Sequence, residues 1–212
     1  MMMSDFLLPW LLLAAVNLMA TMVPGPAFVM AVRSSVLHGR MAGILTSIGL
    51  GAGVAVHAGL SLIGIAAIMS QSVILFVIVK YLGAAYLIYI GVGLLKGNQK
   101  LEKVANDGAE HTPIAPFKAF RDGFLANLLN PKAVLFFSAI YAQFIDPHTP
   151  WAVKGVYGAT SAVIEALWFS LVSVVLTTTY ARQVYRRVLK WIERVCGVLL
   201  VGLGIKLAAS KL

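Results

Sequence analysis

The hydrophobic pattern of the chain consists of six long apolar runs separated by short polar segments. A helix needs about 20 mostly apolar residues to cross a hydrocarbon core about 30 Å thick. Outer-membrane strands would instead be segments of about ten residues that alternate apolar and polar positions. The pattern therefore predicts an all-α, polytopic membrane protein with six transmembrane helices, at about residues 6–32, 41–69, 73–95, 123–145, 152–180 and 191–209.

Composition agrees with this interpretation, since 60% of the residues are hydrophobic, 12% are charged and the mean hydropathy is +0.88. The net charge of +9 does not indicate nucleic acid as a partner, because the basic residues lie between apolar runs rather than on a polar folded surface. The single cysteine, Cys196, excludes a disulfide framework, a CxxC redox pair and a thiolate metal cluster. The first apolar run continues past signal-peptide length and no Lys or Arg precedes it, so we interpret it as a retained first span.

The distribution of Lys and Arg predicts the orientation in the membrane. Most of the 17 basic residues fall in the first, third and fifth loops. Cytoplasmic loops carry such an excess, so these loops are expected in the cytoplasm and both termini in the periplasm. The residues concerned are Arg33, Arg40, Lys96, Lys100, Lys103, Lys118, Arg121, Arg182, Arg186, Arg187, Lys190 and Arg194.

A polar segment rich in helix breakers, residues 97–120, divides the chain into two halves. The interpretation is one transporter domain, 1–212, with repeat one at 1–96, a polar cytoplasmic loop at 97–120 and repeat two at 121–212. Each half contains three predicted spans. Because three is odd, such a 3+3 repeat would be inverted in the membrane, which is a recurrent architecture of secondary transporters.

The strongest local motif is Pro24-Gly25-Pro26 inside the first span. Two prolines remove helix donors and the glycine adds backbone freedom, so the helix is expected to break there. Freed backbone groups at membrane depth need protein or a water-filled cavity around them, which makes these three residues candidates for substrate binding. The alternative is a kink that serves packing alone.

The fourth span carries its own interruption at Asn127, Asn130 and Pro131. The two asparagines are three residues apart and are expected on one helix face, and the residue before a proline disfavours the α conformation. Their amide groups and freed carbonyls suit a zwitterionic substrate. Helices 1 and 4 are therefore both predicted to be broken. Lys132 follows directly after the second break, and a cation at this depth in the membrane needs a partner or a cavity.

Glu165 is the leading single-residue candidate, because its position places an acidic side chain near the middle of the fifth span. A carboxylate in hydrocarbon is costly unless it is paired or hydrated, and such groups mark proton relays in transporters. We assign Glu165 and Lys132 to proton coupling. The alternative is a permanent ion pair between them that locks the helices together.

His57 follows Gly49 and Gly53 at four-residue spacing on the second span, and Ser61 continues the series. A face of small residues favours close helix packing, and it permits a homo-oligomer without requiring one. His57 could act as a polar proton relay, or bond to a neighbouring helix. No histidine or cysteine partner makes it a metal ligand, so no metal site is predicted.

Three segments resemble one known family over nearly the whole chain. They are Pro24-Gly25-Pro26 followed by Arg33 and Gly39, then KYLGAAYL at 80–87, then GFLANLLNPK at 123–132. The chain resembles the LysE/RhtB family of bacterial amino-acid exporters. The segment EALWF at 165–169, with Lys190-Trp191, is most similar to the threonine and homoserine or homoserine-lactone efflux branch.

This resemblance implies an inner-membrane carrier driven by the proton-motive force, with an amino acid, protons and the lipid bilayer as its partners and no cofactor. His57 departs from the family pattern, so no role is carried over to it. The first alternative is an exporter of another small solute, such as a cation or an amino-acid derivative. An exporter of inorganic cations would require several carboxylate, histidine or cysteine ligands inside the spans. A membrane enzyme would require two or more positioned catalytic groups, and none is evident. A structural partner without transport remains the third alternative.

Overall fold

The computed structural model describes residues 3–71, 73–96, 112–145, 149–176 and 179–209. This part of the chain is all-helical and contains eight helices. They are α1 (Met3–Met22), α2 (Pro26–His38), α3 (Arg40–Gln71), α4 (Val73–Leu95), α5 (Pro116–Leu128), α6 (Pro131–Phe144), α7 (Trp151–Val175) and α8 (Thr179–Ala209). Residues 97–111 of the predicted polar loop lie outside the described residues, and α5 begins at Pro116, ahead of the apolar run that starts at 123.

The two predicted breaks are both present as bent helix pairs. The axis turns by 60° between the helix at Phe6–Met22 and α2, and by 62° between α5 and the helix at Lys132–Phe144. Pro26 and Pro131 stand in the first turns of α2 and α6. A proline is tolerated in a first turn, whose N–H groups have no helical partner, but not in a helix interior.

Helix length and composition identify some of the six predicted spans among the described residues. Arg40–Gly64 of α3 and Trp151–Val175 of α7 are long and apolar enough to cross a bilayer, and each bent pair adds one span if it crosses as a unit. Among the described residues of α4, Lys80–Leu95 forms a shorter apolar helix. The full count of six therefore stays a prediction.

The helix α3 is the centre of the fold, packing most extensively against α5 and α7, while α4 packs along α8. The buried apolar residues form two clusters, a large one around α6 and a smaller one around Phe28 and Phe169. Large apolar side chains also cover the outer surface, where more than half of each is exposed. Such a surface fits hydrocarbon rather than water; examples are Leu8, Leu60, Ile74, Leu82, Leu167 and Val198.

Two helix contacts depend on glycine. A Cβ added to Gly49 would collide with the backbone oxygen of Phe120, and one added to Gly123 would collide with the backbone oxygen of Thr46, so α3 and α5 are in backbone contact. A Cβ on Gly53 would lie 2.8 Å from the Cβ of Asn127. The small-residue face predicted on the second span therefore packs against α5.

Candidate functional site

A cavity of about 60 Å³ lies where the two breaks meet, with room for several water molecules. It brings together six of the residues predicted for substrate binding and proton coupling. These are Gly25, Pro26, Asn127, Asn130, Lys132 and Glu165. The predicted residues Pro24 and His57 are not among its lining residues, and the side chain of Pro131 lies outside the described part of the chain.

The break in the first half places Gly25 at the N-cap of α2 in an extended conformation, with φ −141° and ψ −168°. Its carbonyl oxygen accepts the N–H of Val29 at 3.0 Å, which starts the helix. A Cβ added to Gly25 would meet one neighbour, the Nζ atom of Lys132, at 3.5 Å. The ammonium group of one half therefore lies beside the broken backbone of the other half.

The two asparagines of the second break have different roles. Asn127 is buried in the last turn of α5, and its Nδ2 atom donates to the Leu50 carbonyl at 2.7 Å and reaches the Glu165 Oε1 at 3.5 Å. Asn130 is the N-cap of α6, with its Oδ1 atom accepting the N–H of Lys132 at 3.0 Å. They do not share a helix face as predicted, because α5 ends at Leu128 and Asn130 adopts an extended conformation before Pro131.

Glu165 is 9% exposed on α7 and faces the cavity. Its Oε2 atom lies 2.9 Å from the hydroxyl of Thr21. Lys132 lines the same cavity. An ion pair requires an N···O distance of 4.0 Å or less, and within the described part of the chain the Lys132 Nζ atom is farther than this from the Glu165 carboxylate. The structure thus places an acidic and a basic side chain around one cavity without a direct ion pair between them, unlike the locked pair considered from the sequence.

Sequence reasoning missed Asn17 and Thr21, which line the cavity from α1. They are four residues apart in an otherwise apolar run, and that spacing on one helix face was a usable signal. It also missed the aromatic wall of the cavity, for which an apolar run offers no distinguishing signal. The wall consists of Phe28, Phe136, Phe137 and Phe169.

His57 supports the site from outside the cavity. It is buried on α3, and its Nε2 atom lies 3.0 Å from the backbone oxygen of Asn127. A carbonyl can only accept, so Nε2 carries the proton in this contact. The described residues contain no group of three His, Cys, Asp or Glu side chains that could hold a metal ion.

Replacement His57→Leu is expected to leave efflux per folded molecule within about twofold of wild type. It is also expected to lower the free energy of unfolding by about 1 kcal/mol, because one buried hydrogen bond is lost. Thermal unfolding of the purified protein and transport normalised to folded protein would measure the two effects. A tenfold loss of transport at unchanged stability would instead identify His57 as a relay.

A cavity that contains an acidic and a basic side chain, between two interrupted helices and within exposed apolar faces, is characteristic of membrane transport proteins. The LysE type translocator family model matches residues 18–211. The chain belongs to the LysE type translocator family, and it is a membrane protein of a transporter family.

Several curated proteins are similar to this chain over nearly its whole length. The threonine efflux protein of Escherichia coli (strain K12) is 29% identical over 97% of this chain and 100% of its own. The threonine efflux protein of Salmonella typhimurium is 29% identical over 93% and 96%, respectively. An uncharacterized membrane protein of Pseudomonas aeruginosa is 35% identical over 90% of each chain. No solved structure matches significantly.

Proposed function

We propose that this protein exports small neutral amino acids, such as threonine and homoserine, across the cytoplasmic membrane of a bacterium by proton-coupled antiport. The observation that carries the proposal is the cavity between the two bends, which presents Glu165 and Lys132 to the same space. The threonine efflux proteins among its relatives support the substrate class. The aromatic wall and small volume of the cavity favour a small side chain over a long one.

The architecture proposed for this function is six spans in a 3+3 inverted repeat. Its support is that each half begins with a bent helix pair, turning by 60° and by 62°, and that the helices in corresponding positions pack on each other, α3 on α7 and α4 on α8. In this arrangement the second part of α8, after the basic segment, forms the sixth span. Both termini then lie in the periplasm, as the distribution of basic residues predicts.

Alternating access in this proposal is a rocking of the two halves about the cavity. The cavity opens to the cytoplasm to load the amino acid and to the periplasm to release it. Asn127 and Asn130, with the backbone at Gly25 and Pro26, hold the substrate, while Glu165 and Lys132 handle charge. One proton moving inward then drives one amino acid outward.

The direct test is efflux of preloaded radiolabelled threonine, homoserine, leucine and lysine from cells that overexpress the protein, with and without an uncoupler. Uncoupler-sensitive export of threonine or homoserine, in preference to lysine, is the expected result. Export of none of the four, from cells in which the protein is folded in the membrane, would contradict the proposed function and favour another solute.

Replacement Gly25→Ala is expected to reduce threonine efflux without changing stability. The extended backbone accepts any residue, and the added methyl group meets only the Lys132 Nζ atom, at an ordinary contact distance. One methyl group placed in a small binding cavity costs about tenfold in transport rate.

The matched control is Gly93→Ala, because a Cβ at Gly93 meets nothing within 4 Å. Efflux and thermal unfolding are measured for both variants. Wild-type efflux by the Gly25→Ala variant would show that the break does not border the substrate.

A further inference from the structure

The separation of Glu165 from Lys132 leaves the two side chains facing the cavity rather than paired with each other. Both side chains line the cavity, and no ion pair joins them among the described residues. An α-amino acid carries an ammonium and a carboxylate a few ångströms apart. A zwitterion placed between the two side chains would satisfy both, so the cavity has two chemically distinct ends.

The end near Glu165 is rich in oxygen acceptors. The Oδ1 atoms of Asn17 and Asn127 are buried without a hydrogen-bond partner, and both residues line the cavity. Their exposed fractions are 0% and 1%. Unpaired buried oxygens are costly, and an ammonium group has three N–H donors. The two amide oxygens and the carboxylate of Glu165 form a set of acceptors that matches one ammonium group in number.

The hydroxyl of Thr21 also belongs to this end of the cavity. Its Oγ1 atom lies 2.8 Å from the backbone oxygen of Asn17 and donates to the Oε2 atom of Glu165 at 2.9 Å. A hydroxyl can donate its proton to a carboxylate or accept a proton from a carboxyl group. The contact between Thr21 and Glu165 is therefore compatible with both protonation states of Glu165.

The part of the cavity beside Gly25 offers positive charge. The Lys132 Nζ atom lies beside Gly25, and the helices α2 and α6 both begin at the cavity, at Pro26 and just after Asn130. The start of a helix is the positive end of its dipole, which favours a carboxylate. Two further ionisable groups lie near Lys132. The Cys196 thiol of α8 donates to the Met19 carbonyl at 3.2 Å, and the Tyr86 hydroxyl of α4 donates to the Lys132 carbonyl at 3.4 Å.

We infer that the cavity binds an amino acid in one orientation, with its ammonium at Glu165, Asn17 and Asn127 in place of the Glu165 proton, and its carboxylate at Lys132 and the starts of α2 and α6. This inference rests on the proposed function. When the cavity faces the cytoplasm, Glu165 releases its proton there and the substrate ammonium takes its place. When the cavity faces the periplasm, an external proton returns to Glu165 and the ammonium leaves. The balance is one proton inward for one zwitterion outward.

The test is calorimetric titration of the purified full-length protein in two buffers of different ionisation enthalpy, which yields affinity and proton release together. The probes are L-threonine, L-threoninamide, which lacks the carboxylate, and 2,3-dihydroxybutanoate, which lacks the ammonium. With wild-type protein, threonine and threoninamide are expected to release protons on binding, and dihydroxybutanoate to release none. The reverse pattern, or threonine binding without proton release, would overturn the inference.

Two variants locate the ends of the substrate. Replacement Lys132→Gln is expected to weaken threonine binding by about tenfold or more, since a charge-assisted contact is lost, while threoninamide binding changes by less than about twofold.

Replacement Glu165→Gln is expected to weaken threonine binding similarly, to leave dihydroxybutanoate binding unchanged and to abolish proton release. Equal weakening of all three probes by either folded variant would contradict the assignment. The wild-type pattern decides the question even where a variant does not fold.

Failure of this inference is separable from failure of the proposed function. If cells export none of the tested amino acids, the proposed function is wrong and the inference falls with it. If cells export threonine while the purified protein binds it without releasing a proton, only the inference is overturned.

Discussion

Glu165→Gln is expected to reduce uncoupler-sensitive efflux of threonine by about tenfold or more, because it removes both the proton site and the negative charge that faces the substrate ammonium. The amide is almost the same size and can still contact Thr21, so the fold should be preserved. Efflux of preloaded threonine, normalised to folded protein in the membrane, measures the effect. Glu165→Asp should retain part of the activity.

The matched control is Glu193→Gln on α8. Glu193 is also buried, with 4% of its surface exposed, but it does not line the cavity. Its replacement is expected to leave efflux within about twofold of wild type, as for a change away from the site. Normal proton-coupled efflux by the Glu165→Gln variant would remove Glu165 from the coupling mechanism. Equal losses in both variants would indicate a general effect of buried carboxyl groups rather than one specific to the cavity.

Gly49→Leu is expected to destroy most of the folded protein, because α3 and α5 are in backbone contact at this position. A Cβ on Gly49 already collides with the backbone oxygen of Phe120 and would lie 2.8 Å from the backbone nitrogen of Phe124. Neither atom is the end of a flexible side chain, so one helix must move away from the other. Overpacking of this kind costs about 3 kcal/mol or more, which corresponds to a Tm lower by about 10 °C.

Gly59→Leu is the control on the same helix, since a Cβ at Gly59 meets nothing within 4 Å. It should fold in normal yield, because the helix gains a better helix former and no contact is disturbed. Size-exclusion chromatography in detergent and thermal unfolding would compare the two variants with wild type. A Gly49→Leu variant with wild-type yield and Tm would contradict the close contact between α3 and α5.

Much of the helical framework could be predicted from the sequence, because the solvent imposes it. Apolar runs and prolines are local features, and both predicted breaks coincide with bent helix pairs whose second helix has a proline in its first turn. The ends of the helices were less predictable. The helix α8 begins at Thr179, well before the apolar run that starts at 191, because basic residues can also be helical outside hydrocarbon.

The relations between helices could not be predicted, because they depend on contacts far apart in the sequence. The sequence suggested that Glu165 and Lys132 belong to one site, but not that a cavity separates them. Thr21 contacts Glu165 from another helix, α1. Asn17, one turn earlier on α1, contributes an unpaired oxygen. Asn130 was expected on the same helix face as Asn127, whereas it lines the cavity as the N-cap of α6. An asparagine before a proline serves as a helix cap as readily as it binds a ligand.

The most direct test of the account is proton movement driven by an amino-acid gradient in proteoliposomes that contain the purified protein and an internal pH indicator. In this experiment, vesicles loaded with threonine are diluted into threonine-free buffer. The account predicts that threonine leaves the vesicles and that their interior becomes more acidic. Neither change is expected in vesicles that contain the Glu165→Gln variant. Threonine efflux at an unchanged internal pH, with the membrane potential clamped, would contradict proton-coupled antiport through this cavity.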